Sequence, residues 1–215
     1  MRLEFFSNVR PKVAKEIPWG WVNTQSDWGP VATENPGRIF VPDLVEYFDW
    51  NTFEVTAGGA LGSRDMKSIF QTASRFMGWE RLLVEQPDLG AIGAAFHHWN
   101  EKLLRSSPIR IEYFIVGDDY GTNNGLMVSP QLWRTWIKPE VNKLVDLGHK
   151  YGCKVVMHSD GDVSEILGDF VEMGVDSLHP VQQVGGMVEL AGARFYNGMY
   201  LMHDTEDMRT HDYRN

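Results

Sequence analysis

Between Ile109 and Gln182 the chain repeats one pattern: three short apolar runs enclose two stretches of helical periodicity. The runs IRIEYFIV, CKVVMH and VDSLHPVQ read as buried strands, because continuous apolar runs bounded by turn residues suit strands covered on both faces. Ser129 before Pro130 reads as a helix start, the hydroxyl capping open amides and the proline needing no donor there. Trp133, Ile137, Val141, Leu144 and Gly148 follow on one face, with a kink or restart expected at Pro139, which lacks a donor and crowds the preceding turn. Asp162 with Glu165 marks a second start, stopped by Gly174. Strands joined by helices through short connections run parallel, with right-handed crossovers. The fold class is α/β, either an open doubly wound sheet or a (β/α)8 barrel of the TIM type.

Length bears on that choice. A complete barrel takes about 250 residues, whereas this chain has 215 and offers three clear strands plus a fourth at 195–201. An incomplete barrel over 65–202 is expected, after an irregular lead-in at 1–64 and before a polar tail at 203–215. Two further helices precede the first strand: Met66, Ile69, Ala73, Phe76 and Met77 share a face up to Gly78, and Leu89, Ile92, Phe96, Trp99 and Leu103 recur beyond Pro87. Missing strands leave apolar edges for another chain or segment to cover, so a homo-oligomer is among the expected assemblies.

Composition narrows the partners. A net charge of −9 without a basic run argues against nucleic acid. No window approaches the ~18 apolar residues of a spanning helix, which argues against a membrane. With one cysteine, Cys153, and no apolar leader, the expected compartment is the cytoplasm. Cys153 begins a strand and reads as core filler.

Parallel α/β folds place their ligands beyond the carboxyl ends of the strands, where loops converge. Three polar clusters fall there: Asp118-Asp119-Tyr120-Gly121, His158-Ser159-Asp160-Gly161 and His179-Pro180-Val181-Gln182. Asp118 or Asp119 can be lifted to the rim to orient a substrate or take a proton, although Asp before Tyr-Gly also suits a turn. His158 and Asp160, two apart at a strand end, point the same way if extended geometry persists, as two ligands of one metal would. Zinc accepts both atom types but needs a third protein ligand. Alternatively, His158 hydrogen-bonds within the site while Asp160-Gly161 forms a turn and Asp162 caps the helix. His179, kept extended by Pro180, binds substrate or satisfies a loop carbonyl.

The ordered run of DDYG, SP, IKP, HSDG, MGVD and HPVQ from Val116 to Gln182 strongly resembles the uroporphyrinogen decarboxylase superfamily, with weaker similarity at DWG and FMGWERLLVEQPD. The resemblance implies a (β/α)8 barrel with its pocket on the strand C-terminal face. Within the superfamily, porphyrinogen decarboxylases carry an arginine-rich loop of the form RQAGR, which residues 1–64 lack. Corrinoid-dependent methyltransferases carry His-x-Cys-Gly, whose His and Cys bind zinc, followed by a distal Cys. Here the motif is His158-Ser159-Asp160-Gly161, a carboxylate replacing the thiolate.

The resemblance therefore implies methyl transfer between a corrinoid (methylcobamide) carrier and an acceptor. Asp118, Asp119 and His158 would be catalytic, Tyr120, His179 and Gln182 would bind substrate, and His158 with Asp160 would hold zinc. The partner would be a small molecule or a corrinoid protein. Two alternatives stand beside it: a lyase decarboxylating uroporphyrinogen-like porphyrin precursors, and a catalytically inactive binding module.

Overall fold

The computed structural model describes residues 69–106 and 111–203, together with the backbone of short strands at 10–13, 21–22, 31–32, 48–54 and 60–62. The helix start at Asp65, the strand start at Ile109, the packing of Phe76 and Trp99, the turn signals of the lead-in and the polar tail beyond His203 lie outside the described residues.

Four strands belong to two small antiparallel pairs, β1 (Arg10–Val13) with β4 (Phe48–Glu54) and β2 (Trp21–Val22) with β3 (Val31–Ala32). β5 (Ala60–Gly62) then enters the main sheet, so one of its strands comes from within the 1–64 lead-in. Three helices come next: α1 (Ile69–Met77), α2 (Trp79–Glu85) and α3 (Gly90–Ser106). Gly78 separates the first two at φ 75°, a backbone conformation that costs glycine little.

After α3 come β6 (Tyr113–Gly117) and a small hairpin of β7 (Gly121–Thr122) and β8 (Gly125–Leu126). The Ser129 hydroxyl caps the next helix by accepting from the Leu132 amide at 3.2 Å, with Pro130 first in line as expected. That helix runs as α4 (Pro130–Leu132), a π-helical turn (Trp133–Ile137) and α5 (Lys138–Lys150). The restart before Pro139 is how a residue without an amide hydrogen is accommodated inside a helix.

β9 (Lys154–His158), a 3₁₀ turn (Ser164–Ile166), α6 (Leu167–Glu172) and β10 (Ser177–Val181) complete the repeats. The single strand expected at 195–201 is instead two strands, β11 (Phe195–Tyr196) and β12 (Met199–His203), which pair antiparallel around Asn197-Gly198. Both turn residues have positive φ, as a tight hairpin requires.

The sheet orders its strands β11-β12-β10-β9-β6-β5, with β5, β6, β9, β10 and β12 mutually parallel. Each parallel strand lies beside the one before it in sequence, always on the same side. Among the described residues the sheet is open and no closed barrel forms.

Side chains alternate across it. Phe114, Val116, Val155, Met157, Leu178 and Leu201 join the main core with the helices, while Ile115, Val156 and Met202 form a second apolar cluster flanked by Tyr113 and Tyr200. α5 lies close because residue 148 is glycine: a β-carbon there would stand 2.7 Å from Val155 and 2.9 Å from Phe114.

Candidate functional site

Register brings the three polar clusters together. Gly117 pairs with His158 and His158 with His179, so the last residues of β6 and β9 stand level with the middle residue of β10, which runs on to Val181 instead of ending at His179. The ladder continues past the strand ends, with the Asp118 amide donating to the His158 carbonyl and the Ser159 amide to the His179 carbonyl. His158 and His179 thereby stack, their ring centroids 5.2 Å apart and their Nδ1 atoms 3.0 Å apart. One Nδ1 must carry a proton and the other a lone pair for that contact to be a hydrogen bond.

Asp119 and Asp160 close the other side. Asp119 Oδ1 lies 3.6 Å from His158 Nε2, and Asp160 Oδ2 lies 4.0 Å from the same nitrogen. Asp119, His158 and Asp160 each offer one ligand atom, all within 4.8 Å of one another. His158 is buried, whereas the Asp160 side chain is 40% exposed and opens the cluster to solvent.

Loop chemistry holds the carboxylates in place. Asp119 Oδ1 accepts from the Asp160 amide at 3.0 Å and Oδ2 accepts from Gln71 Nε2. Gln182 accepts from the Gly161 amide through Oε1 at 2.7 Å and donates to Asp160 Oδ1 through Nε2 at 3.3 Å. Two glycines let the loops cross: a β-carbon on Gly161, at φ 84°, would stand 2.4 Å from the Gly121 carbonyl carbon. Asp162, expected as a helix cap, stands one residue before Val163, the N-cap of the 3₁₀ turn, and accepts from the Ser164 and Gly186 amides, so it ties two loops together. Burial pushes its carboxyl up, yet hydrogen bonding from the Ser164 side chain, with the Ser164 and Gly186 amides, outweighs burial and holds it below the usual range.

Two expected site residues stand elsewhere. Asp118 is 1% exposed and turned away from His158 to the start of α1, where its carboxylate accepts from the Phe70 and Gln71 amides at 2.6 and 2.9 Å. It is a helix cap reached from a distant strand, satisfying amides left open by the first turn. Tyr120 is also 1% exposed, packed among Phe70, Trp133 and Phe170, so its ring belongs to the core instead of a substrate pocket. Burial first, then the Asp118 and Asp119 carboxylates, raise its phenol well above the usual value and keep it neutral.

Gln71 is a site residue that the sequence does not announce; a glutamine inside an amphipathic helix carries no signal of its own. Ser159 is another: its hydroxyl, in a fully buried residue, accepts from the Tyr120 amide and ties the first cluster to the second.

No protein-family model matches the chain, and no curated protein sequence matches it. Among solved structures, a methyltransferase from Methanosarcina mazei superposes with a TM-score of 0.48 at 14% identity, over 71% of this chain and 49% of that one. The chain thus spans about half the length of that structure. Similarity at this level carries no conclusion about activity.

Proposed function

We propose that the chain is an enzyme of the methyl-transfer branch of the uroporphyrinogen decarboxylase superfamily, moving a methyl group between a corrinoid carrier and a thiol or similar acceptor. The observation that carries this reading is the convergence of His158, Asp160 and Asp119 at the carboxyl ends of adjacent parallel strands. That is where such folds keep their chemistry. The one-way order of the parallel strands and the apolar cluster on the sheet's second face fit a segment of barrel wall. The motif order from DDYG to HPVQ and the lack of an RQAGR loop favour methyl transfer over decarboxylation.

A metal fits the donors present. His158 and Asp160 would hold it, with an oxygen standing where the resemblance leads one to expect sulfur. A bound ion would act as a Lewis acid, lowering the pKa of the acceptor group. The protein supplies the rest: His158 is fixed by its contact with His179, and Asp119 presents an anchored carboxylate toward which the acceptor is oriented.

The test is metal content together with turnover of the whole chain. Near-stoichiometric metal, methyl transfer from a methylated corrinoid to a thiol, and loss of both in His158→Ala are the expected results. A metal-free protein that consumes uroporphyrinogen overturns the proposal, and capture of a corrinoid protein without turnover reduces the chain to a binding module.

A further inference from the structure

The three facing groups share a construction that a loop held only by its own turns would not need. His158 directs Nε2 to the centre, and its outer nitrogen, Nδ1, contacts His179. Asp160 directs Oδ2 inward, and its outer oxygen accepts from Gln182. Asp119 directs Oδ1 inward, and its outer oxygen accepts from Gln71. Outer partners of this kind fix the orientation and protonation of groups that ligate a cation. Among the described residues, no lysine or arginine forms an ion pair with Asp119.

Separations agree. Ligands at ~2.0–2.2 Å from one ion stand about 3.3–3.6 Å apart in a tetrahedral site, and His158 Nε2 is 3.6 Å from Asp119 Oδ1 and 4.0 Å from Asp160 Oδ2. All three ligand atoms lie within 4.8 Å of one another, and Asp160, the more exposed carboxylate, is the one with room to turn toward an ion.

We propose that Asp119, His158 and Asp160 form a three-ligand site for a first-row divalent cation, with Gln71, Gln182 and His179 as positioning residues. The proposal deepens the methyl-transfer reading and rests on its placement of the site; it moves Asp119 from orienting the acceptor directly to ligating the ion that would hold the acceptor, and it names the kind of ion. Two carboxylate oxygens and one imidazole nitrogen make a hard donor set without sulfur, so the site favours Zn²⁺ over Mn²⁺ or Co²⁺ less steeply than a thiolate site does. Ligation through Nε2 places the His158 proton on Nδ1, from which it donates to His179 Nδ1. His179 then accepts at Nδ1 and keeps its own proton on Nε2, and an asparagine oxygen can fill the accepting role.

The test titrates the whole chain with Co²⁺, Mn²⁺ and Zn²⁺ and uses the Co²⁺ absorption spectrum as the report on ligands. One ion per chain is expected, with no sulfur-to-cobalt band in the wild type. Asp160→Cys should add that band and shift preference toward Zn²⁺ by at least about tenfold. His179→Phe should weaken Co²⁺ binding by about 10–100-fold, as loss of an outer partner does elsewhere, while His179→Asn restores most of it. Asp119→Ala should weaken binding further, and thermal melts confirm that each variant is folded; Asp119→Asn replaces Asp119→Ala if the latter is not.

Absence of Co²⁺ binding by the wild type, affinity indifferent to Asp119, or a Co²⁺-loaded Asp160→Cys protein without the sulfur band overturns the site. Methyl transfer by a cation-free protein also overturns it while leaving the methyl-transfer reading intact. Cation binding without methyl transfer does the reverse.

Discussion

Asp118 and Asp119 are chemically identical neighbours with opposite fates, and the division comes from the strand before them. Successive side chains of an extended chain leave on opposite sides. Asp118 therefore falls on the helix side of β6, where the open amides of α1 await it, and Asp119 on the side of His158. Asp118→Asn keeps the shape but turns an NH₂ donor toward an amide donor. It should cost about 1–3 kcal/mol of stability, the penalty for unpairing a buried polar group, and leave cation binding by the folded protein within a factor of about two or three. Denaturant unfolding and Co²⁺ titration of the same sample check both halves; weakened binding at unchanged stability would return Asp118 to the site.

The pair of aspartates also marks the limit of what the sequence carries at this scale. His158 and Asp160 are legible because they close an apolar run, and His179 because Pro180 follows it; the parallel register then sets the two histidines level, although His179 lies within its strand and not at its end. Tyr120 is misplaced by sequence alone because an aromatic residue after two aspartates looks the same whether its ring enters the core or a pocket; the cluster of Phe70, Trp133 and Phe170 that claims it comes from three distant segments. Gln71 is invisible for a related reason, since it reaches Asp119 across 48 positions of chain.

Between elements, one carboxylate ties the restarted helix to its neighbour. Asp169 on α6 accepts from Arg134 in the π-helical turn and from Lys138 at the start of α5, while Lys138 also reaches Glu172. The sequence foretells a break near Pro139, but not that the break aims two cations at the following helix. Burial pushes the Asp169 carboxyl up; hydrogen bonds from Arg134 and Lys138 outweigh it and hold the group below its ordinary value. A carboxyl depressed in the folded state contributes stability in full above its unfolded value, near pH ~4, and loses it as the pH falls through the lower, folded value. Asp169→Asn should therefore destabilise the protein by about 1–2 kcal/mol at neutral pH, the pair being partly exposed. The gap from wild type should close below about pH 4. Unfolding midpoints measured from neutral pH down to about pH 3 check this, and a gap independent of pH would mean that packing, not charge, is what the substitution removes.

At the scale of the whole molecule, the question is what the second face of the sheet is for. The repeated strands predict a sheet buried on both sides, and the monotonic strand order results from crossovers of a single hand. Closure is left open by the sequence, because curvature depends on how each strand twists against the next, and no local residue pattern states that. Burial supplies a measurable proxy. Val155 faces the helices at 0% exposure and Val156 faces the other side at 2%, so neighbouring valines sample the two faces under nearly identical backbone conditions. An open two-layer sheet with one wet face tolerates a charge at 156 and fails only at 155. A wall with a packed interior tolerates neither, since burying an unpaired carboxylate costs several kcal/mol wherever water is excluded. Val155→Asp and Val156→Asp should both abolish cooperative unfolding or lower the midpoint beyond any single loop substitution. Val156→Asp should in addition disturb the Co²⁺ spectrum, because residue 156 shares its face with His158 two positions on. A Val156→Asp protein as stable as wild type would make the second face a solvent surface and place the cluster of Asp119, His158 and Asp160 on an open ledge.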